Sequence, residues 1–485
     1  MRKIILALAV ALLLVAAIAV SRAIRFTSRQ IQIAAAEQID LDRQAIVKRL
    51  SKAIQHRTVA FTEPDEAAGA EFDRFHRFLV DSFPAVHARL TREVVARHSL
   101  LYTWKGQDRS RKPILLMGHM DVVPAEPGSE SSWTHPPFSG RLAGGYVWGR
   151  GTMDDKVSVL GILEALEHLL VEGFEPRRNL YIAFGHDEEI GGYNGAAKIA
   201  EVLRARGVQL EFALDEGANV MDGIIPDVAA PVALIGIAEK GYVSLELTVH
   251  AAGGHASIPP DRTAIGILSR ALDRLERSPL PSRLSAPIQS MFDYLGPEMA
   301  WSRKIIFANL WLFEPLVRRR FAQSPLTNAA IRTTQVPTLF EAGVKENVLP
   351  ARARAVVNAR ILPGETIAGL LDHARRTIDD PQVNIAPSTI HAEPSPIADT
   401  ESGAFKLLHR SIKQVAPEVL VAPSLLVAAT DSRHYTGLTK NIFRFLPITL
   451  RPEDASRYHG IDERISIKDY ERCVRFYIQL IRNSQ

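Results

Sequence analysis

Residues 113–121 read PILLMGHMD, and this stretch indicates how the chain folds. A short apolar run bounded by turn residues is typical of a strand that is buried on both faces, as in parallel sheets covered by helices. The run ends in an imidazole and an acid, His119 and Asp121. In open α/β sheets, ligands bind beyond the carboxyl ends of the strands, which is where these two side chains would lie.

The alternation of strands and helices continues to about residue 220. Two further strands are predicted in NLYIAFGHDEE (179–189) and LEFALDEG (210–217). Two helices are predicted in DKVSVLGILEALEHLLVEG (155–173) and NGAAKIAEVLRARG (194–207), where apolar residues recur at helical spacing. This alternation predicts an α/β fold, an α/β/α catalytic domain with a mostly parallel sheet.

The alternation of predicted strands and helices stops after residue 239 and resumes near residue 393. KGYVSLELTVHAAGGHAS (240–257) has the period of two that is typical of a strand, followed by a glycine turn. We therefore predict a smaller inserted α+β lid domain. The predicted organisation is 1–22 for a signal anchor or signal peptide, 23–239 and 393–485 for the two parts of the catalytic domain, and 240–392 for the lid. Within the lid, the long apolar stretch 280–340 is expected to be a packed helical insert; a lipid-facing role is the alternative.

Residues 4–20, IILALAVALLLVAAIAV, are wholly apolar. Their number is at the short limit for a bilayer span and slightly long for the apolar region of a signal peptide. We favour an uncleaved single membrane anchor over a cleaved signal, for which Ala17 and Ala19 would suit cleavage. Either interpretation places the body at a membrane or beyond it, in an exported, periplasmic or extracellular location. Residues 22–60 are expected to form a polar, helical lead-in.

The charge of the chain argues against a nucleic-acid partner. The sequence has 58 Lys and Arg residues against 54 acids, but five of the cations lie in residues 1–30, which contain no acid. The remainder is close to neutral, at 53 against 54, and has no basic stripe to follow a phosphate backbone. The single cysteine, Cys473, excludes an intrachain disulfide and is expected to be a structural thiol.

Pairs of acids and imidazoles occur at the predicted strand ends and before one helix. They are His119 and Asp121, Asp154 and Asp155, Glu188 and Glu189, and Asp215 and Glu216. Each alone is also compatible with an ordinary loop or helix cap. Together in one pocket, these carboxylates would repel one another unless cations neutralised them. Imidazole and carboxylate without thiolate suits zinc, cobalt or manganese.

A two-metal site with one bridging carboxylate needs a second histidine. The best candidate is His459, in RYHGIDERI (457–465). Three other histidines, His135, His186 and His434, are expected to be structural or to support the ligands. A serine hydrolase is disfavoured, because no Gly-x-Ser-x-Gly elbow precedes a suitable histidine.

The motifs HMD, GRGTMDDK, DEE, LDEG, GGHAS, NARILPGE, TDSRHY and HGIDE follow one another in this order. In this, the chain resembles the di-zinc metallopeptidases that include aminoacylase, carboxypeptidase G, carboxypeptidase S and the secreted N-acyl-amino-acid synthase/hydrolases. The resemblance covers roughly residues 45–480. The insert and the apolar N-terminus are most similar to the carboxypeptidase S branch.

The resemblance implies a role for each matching residue. Asp154 would bridge two divalent ions, most simply Zn²⁺, with Co²⁺ or Mn²⁺ as alternatives. The remaining ligands would be His119, Glu189 and His459 at the first ion and Asp215, or its neighbour Glu216, at the second. Asp121 would orient His119, Glu188 would be the general base and then acid, and the Asp154–Asp155 peptide would be cis.

The resemblance also implies how the substrate is held. His255, from this chain or a dimer partner, would polarise the carbonyl, and Asn347 and Arg360 would bind a carboxylate. The implied substrate is a small acylated amino acid or short peptide, and the lid would support a homodimer. A dipeptidase or a deacetylase on the same scaffold, and a catalytically inactive membrane-bound binding protein, are the alternatives. Asp462 stands where the family often has asparagine.

Overall fold

The computed structural model describes residues 1–60 and 66–485. The helices are α1 Arg2–Arg25, α2 Arg43–Ile54, α3 Glu66–Ser82, α4 Pro84–Arg89, α5 Lys156–Val171, α6 Ala196–Ala205, α7 Ala264–Arg277, α8 Ala286–Leu295, α9 Trp301–Ala308, α10 Leu310–Phe321, α11 Pro325–Ile331, α12 Ile367–Ile378, α13 Gly403–Val415 and α14 Ile467–Asn483.

The strands divide into a large sheet, a lid sheet and two small ones. They are β1 Thr91–Val95, β2 Ser99–Trp104, β3 Ile114–His119, β4 Arg141–Ala143, β5 Tyr146–Trp148, β6 Leu180–Gly185, β7 Phe212–Asp215, β8 Val220–Met221, β9 Val232–Glu239, β10 Gly241–His250, β11 Gly254–His255, β12 Thr334–Ala342, β13 Val348–Leu349, β14 Arg352–Ile361, β15 Val383–Ala392, β16 Leu420–Leu426, β17 Ile442–Arg444, β18 Thr449–Leu450 and β19 Arg464–Ser466.

The large sheet has ten strands in the order β1-β2-β6-β3-β7-β17-β9-β8-β18, with β16 paired to β9. Strand β3 runs parallel to both β6 and β7, and every residue of β3 and β6 is buried. Helix α5 is buried along most of its length, because its residues are almost all apolar. The predicted α/β fold is confirmed.

The lid sheet is antiparallel, in the order β12-β14-β10-β15. Burial alternates along β10 and β14, because one face of this sheet packs against α7 and α12 while the other does not. Helices α8 to α11 form the insert between α7 and β12. Its apolar core includes Leu284, Phe292 and Val317 and continues to Leu425 of β16. The insert is therefore packed against the large sheet, to which β16 belongs.

The N-terminal segment contains, among the described residues, the one helix long and apolar enough to cross a membrane, α1. Residues 2–18 of this helix are exposed apart from the half-buried Val15, whereas Ala19 and Ala23 are buried. The expected helical lead-in over 22–60 is wrong in part. The chain is not helical from Phe26 to Asp42, and α2 begins only where the Asp42 side chain accepts a hydrogen bond from the Ala45 amide, at 3.0 Å.

Candidate active site

The acids and imidazoles of the sequence meet at one edge of the large sheet. His119 is the last residue of β3 and lies opposite Gly185, the last residue of β6. The chain then turns through a short 3-10 helix, Glu188–Ile190, and Asp215 ends β7. Parallel strands end at the same edge, so residues dozens of positions apart become neighbours.

Asp154 lies at the centre of this edge and contacts both predicted histidines. Its Oδ1 lies 2.9 Å from His119 Nε2, and its Oδ2 lies 3.0 Å from His459 Nε2. Glu189 Oε2 lies 3.3 Å from the same nitrogen of His459. The peptide bond between Asp154 and Asp155 is cis. One carboxylate therefore joins two imidazoles through its two oxygens.

Two groups of side chains have the spacing of metal ligands, and they share Asp154. One is His119, Asp154 and Glu216, and the other is Asp154, Glu189 and His459; within each group the ligand atoms lie within 4.8 Å of one another. The second oxygen of Glu189 is buried and has no hydrogen-bond partner among the residues that the structure describes. A buried carboxylate oxygen without a donor, beside an imidazole, fits a divalent cation.

The structure places Glu216, and not Asp215, beside His119. Both oxygens of Asp215 have other partners: Oδ2 accepts a hydrogen bond from the Ser432 amide at 2.8 Å, and Oδ1 accepts one from the Glu216 amide at 3.0 Å. The structure also groups these side chains differently from the expected division of ligands. Glu189 and His459 lie on the opposite oxygen of Asp154 from His119, so they do not complete its group.

Asp121 lies behind the site and holds two of its parts in place. Its backbone carbonyl lies 3.0 Å from His119 Nδ1, and its Oδ1 is 3.4 Å from the same atom. The Asp121 carboxylate also accepts hydrogen bonds from the backbone amides of Glu188 and Glu189, at 3.2 and 3.0 Å. Partners of this kind fix the ring orientation of a metal-binding histidine.

The electrostatics of the site attract positive charge. Hydrogen bonds to Asp154 and Glu189 raise the pKa of His459 to about 10. Burial disfavours a charged His119, but Asp121 and Asp154 outweigh it and raise its pKa well above the ordinary value. Burial also raises the pKa of Glu188 well above its usual range, with a contribution from the nearby charges of acids such as Asp431. The direction of this pKa shift favours the protonated form of the Glu188 carboxyl group.

A buried ion pair, which the sequence analysis did not single out, positions His459. Arg150 donates from Nη1 to Glu463 at 2.7 Å and from Nη2 to the His459 carbonyl at 3.0 Å. The other oxygen of Glu463 accepts from the amides of Gly151 and Met153, at 2.9 and 2.8 Å. The loop before Asp154 and the loop of His459 are thus tied together. In the sequence, only Glu463 of the HGIDE motif and Arg150 of the GRGTMDDK motif indicated this ion pair.

A cavity of about 860 Å³ opens beside the two groups. Glu188 lines it together with Arg360, whose guanidinium lies 4.8 Å from the Tyr242 ring centre. A second arginine, Arg433 of the TDSRHY motif, lines the same cavity and was not predicted. Two guanidinium groups and a glutamate therefore face one space with the candidate metal ligands.

Two of the predicted substrate-binding residues are not in this cavity. His255 ends β11, and Asn347 lies in the turn just before β13, the strand paired with β11. Both are exposed, and the Ala256 amide donates to the Asn347 carbonyl at 3.1 Å. His255 Nδ1 lies 2.7 Å from Ser257 Oγ. Neither is among the described residues that line the cavity.

The three histidines expected to be structural have protein partners. His135 packs edge-on against Trp148 with ring centres 5.0 Å apart. His186 Nδ1 lies 2.6 Å from Ser99 Oγ, and His434 Nε2 lies 3.0 Å from the Gly191 carbonyl. Cys473 is buried against helix α5, and burial raises the pKa of its thiol, as for an unreactive structural cysteine.

Gly192 holds the turn that carries Glu188 in place, and its replacement is expected to disturb the site. Its φ is +70°, and a Cβ there would lie 1.9 Å from Oδ1 of the buried Asp431. Gly207→Ala is a matched control, because its φ is +68° and nothing lies within 4 Å of the added carbon. We expect the control to lose about 1 kcal/mol of unfolding free energy from backbone strain alone, and Gly192→Ala roughly 3 kcal/mol from strain and overpacking.

Urea unfolding and kcat measure this difference. The Gly192 amide donates a hydrogen bond at 2.7 Å to the Asp187 carbonyl and closes the turn. Because overpacking in Gly192→Ala would displace this turn, which carries Glu188, kcat should fall as well. Equal stability and equal turnover in the two variants would contradict the packing described here.

Metal-dependent hydrolases place imidazoles and a shared carboxylate next to a catalytic glutamate. This edge of the sheet has two imidazoles, the shared carboxylate of Asp154 and Glu188 in the adjoining cavity. Residues 115–483 match the family model of Peptidase family M20/M25/M40, so the chain belongs to this family. It is a metal-dependent hydrolase of the peptidase and amidohydrolase class, as the sequence resemblance implied.

Similar proteins cover nearly the whole chain. It is 45% identical over 472 residues to the probable carboxypeptidase S-like 2 of Dictyostelium discoideum, which covers 95% of this chain and 90% of the relative. It is 44% identical to the N-fatty-acyl-amino acid synthase/hydrolase PM20D1 of Xenopus tropicalis, covering 92% of this chain and 87% of the relative.

Solved structures share the fold. The M20 family metallo-carboxypeptidase Sso-CP2 from Sulfolobus solfataricus aligns with a TM-score of 0.65 at 18% identity, covering 91% of this chain and 99% of that one. Human carnosine dipeptidase 1 aligns with a TM-score of 0.61 at 15% identity, covering 91% and 97%. At these identities the likeness extends to the fold alone.

Proposed function

We propose that the chain hydrolyses, or in reverse forms, the amide bond of an N-acyl amino acid or a short peptide with a free carboxylate. The observation that carries this proposal is the single carboxylate of Asp154 between two imidazoles, with Glu188 in the same cavity. The two relatives named above, a carboxypeptidase S-like protein and an N-fatty-acyl-amino acid synthase/hydrolase, support this substrate class.

The residues would hold two divalent cations, most simply zinc, with cobalt or manganese as alternatives. His119, Asp154 and Glu216 would hold one, and Asp154, Glu189 and His459 the other. When bound, such a pair of cations polarises the substrate carbonyl and lowers the pKa of a water toward neutrality. The donor set of imidazole and carboxylate, without thiolate, fits this use.

Glu188 would move the protons of the reaction. It lines the cavity, and its raised pKa allows it to take a proton from the attacking water and keep it. It would then give this proton to the leaving nitrogen, which completes hydrolysis. In the direction of synthesis the same carboxyl group would take the proton from the attacking amine.

The two arginines of the cavity would recognise the substrate's carboxylate. Arg360 is held against Tyr242, and Arg433 lies across the same space. A guanidinium pairs with a carboxylate through two parallel hydrogen bonds, which fixes the orientation of the substrate as well as its charge.

A substrate panel tests the proposed function. N-acyl amino acids, dipeptides and N-acetylated compounds are assayed with zinc, cobalt and manganese, each beside its methyl ester. We expect the ester of a good substrate to have a kcat/KM lower by roughly 10- to 100-fold, since it loses one charged hydrogen-bonding group. Arg360→Met should reduce this discrimination, and Arg270→Met, at an exposed position on α7, should not.

The panel also separates the alternatives. Turnover of dipeptides or N-acetylated compounds alone would favour the dipeptidase or deacetylase. Equal rates for acids and esters would contradict carboxylate recognition, and no turnover with any metal would favour an inactive binding protein.

His255 and Asn347 would act in the cavity of a second copy, across a homodimer formed through the lid. This is expected because both are exposed on one chain and outside its own cavity.

Glu188→Gln and His255→Ala chains, each inactive alone, should then complement each other when co-expressed. One site in each mixed dimer would be intact, giving about a quarter of the wild-type activity. A mixture as inactive as either variant would contradict sharing of the site.

We also propose that α1 anchors the protein in a membrane. Its residues 2–18 are exposed apart from the half-buried Val15, and its composition fits a span.

A further inference from the structure

The helical insert carries an exposed apolar surface next to the proposed anchor. Among the five tryptophans of the chain, Trp104, Trp133 and Trp148 are buried. The other two, Trp301 and Trp311, are 49% and 55% exposed, and both lie on the insert, at the starts of α9 and α10. Leu312 and Leu316 of α10 are exposed as well. The insert therefore has both a packed side and an uncovered side.

This surface is joined directly to the point where α1 meets the body. Asn309 donates from Nδ2 to the Ala19 carbonyl at 2.9 Å and accepts from Trp311 Nε1 at 3.1 Å. Arg22 donates from Nε to the Ala308 carbonyl at 3.1 Å. Residues 2–18 of α1 are exposed, apart from the half-buried Val15. A bilayer crossed by α1 would begin beside Trp311.

The charge around the surface suits the same partner. Leu312 and Leu316 are one helical turn apart, and Arg319 and Arg320 follow on the same face of α10, both exposed. An exposed helix face with leucines, a tryptophan and cations is typical of a helix that lies in the interface of an anionic membrane. Tryptophan is enriched at the depth of the lipid headgroups, and cations there pair with acidic lipids.

We propose that α9 and α10 dock onto the surface of an anionic bilayer, with Trp301 and Trp311 in its interface. This rests on the proposed membrane span of α1. The insert packs against β16, where Leu425 belongs to its core and the next residue, Leu426, lines the active-site cavity. Docking would thus hold the cavity wall at a fixed position relative to the lipid.

Quenching of tryptophan by brominated lipid tests the docking. The full-length chain is reconstituted into vesicles of phosphatidylcholine and phosphatidylserine, with or without bromine on the acyl chains. We expect wild-type emission to fall in the brominated vesicles. The variant with Trp301→Phe and Trp311→Phe should lose this quenching, because its three remaining tryptophans are buried.

Two reporters in that double variant separate the docking from the span. Leu12→Trp places a tryptophan in the exposed part of α1 and should be quenched. Val171→Trp places one at an exposed site on α5, away from the insert, and should not be quenched. Adding Arg319→Glu and Arg320→Glu to the wild type should reduce the quenching of Trp301 and Trp311. The same charge reversals should leave the quenching of Leu12→Trp unchanged.

The outcomes decide between the proposals. If Leu12→Trp is quenched but Trp301 and Trp311 are not, α1 spans the membrane and the docking proposal is wrong. Self-association of the chain in the same vesicles would then assign the exposed surface to contact with a second copy. If Leu12→Trp is not quenched, the span fails and the docking with it. Equal quenching of Val171→Trp would show a non-specific effect and would also overturn the docking.

Discussion

Replacement of Glu188 by glutamine is expected to lower kcat by roughly 10⁴-fold while the metal content stays that of the wild type. Glutamine has nearly the same shape but cannot take a proton from water or deliver one to the leaving nitrogen. Glu188 is not in either group of candidate metal ligands, so its removal should leave both groups intact. Single-turnover kinetics and metal analysis of the same preparation measure the two effects together.

The matched control for this variant is Glu201→Gln, at an exposed position on helix α6. It makes the same chemical change far from any candidate ligand and should keep wild-type turnover. Wild-type turnover in Glu188→Gln would remove Glu188 from the proton-transfer role. Loss of metal in that variant would instead make Glu188 a ligand.

Asp154→Asn is expected to remove the metal as well as the activity. The two oxygens of Asp154 contact His119 and His459 separately. Asparagine offers one neutral oxygen in their place, so it cannot bridge two cations or neutralise them. We expect the metal content to fall from about two ions per chain to nearly none, as measured by elemental analysis after gel filtration.

Variants on either side of Asp154 sharpen this prediction. His119→Ala and His459→Ala should each remove about one ion, because each histidine belongs to only one of the two groups. Asp81→Asn, at an exposed position on helix α3, is the control for loss of a carboxylate and should keep both ions. If Asp154→Asn kept its full metal content, the shared carboxylate would not be the bridge.

The sequence was sufficient for the strands that carry the site, because the apolar runs ending in HMD, DEE and LDEG have the length and composition of buried parallel strands. It could not distinguish Asp215 from Glu216. Neighbouring residues at a strand end point in opposite directions, and the choice depends on which side faces the partner. Here the amide of Ser432, far along the chain, donates a hydrogen bond to the Asp215 carboxylate. Glu216, and not Asp215, is therefore grouped with His119.

Other parts of the site depend on contacts that no local pattern reveals. Arg150 and Glu463 are 313 positions apart, yet their ion pair positions the loop of His459. Arg433 lies in TDSRHY, one of the motifs of the resemblance, but only the fold places its side chain in the cavity with Arg360. The resemblance implied substrate contacts for the lid residues His255 and Asn347, but their distance from the cavity depends on how the lid sits on the chain and on any partner.

Acids and imidazoles from distant parts of the chain gather at this edge of the sheet, and we propose that they hold cations there. The metal content of the purified full-length wild-type chain, determined by elemental mass spectrometry, tests this proposal. We expect about two divalent ions per chain, with turnover lost when a chelator removes them and regained when they return. A chain that contains no divalent metal and keeps its full turnover in the chelator would contradict it.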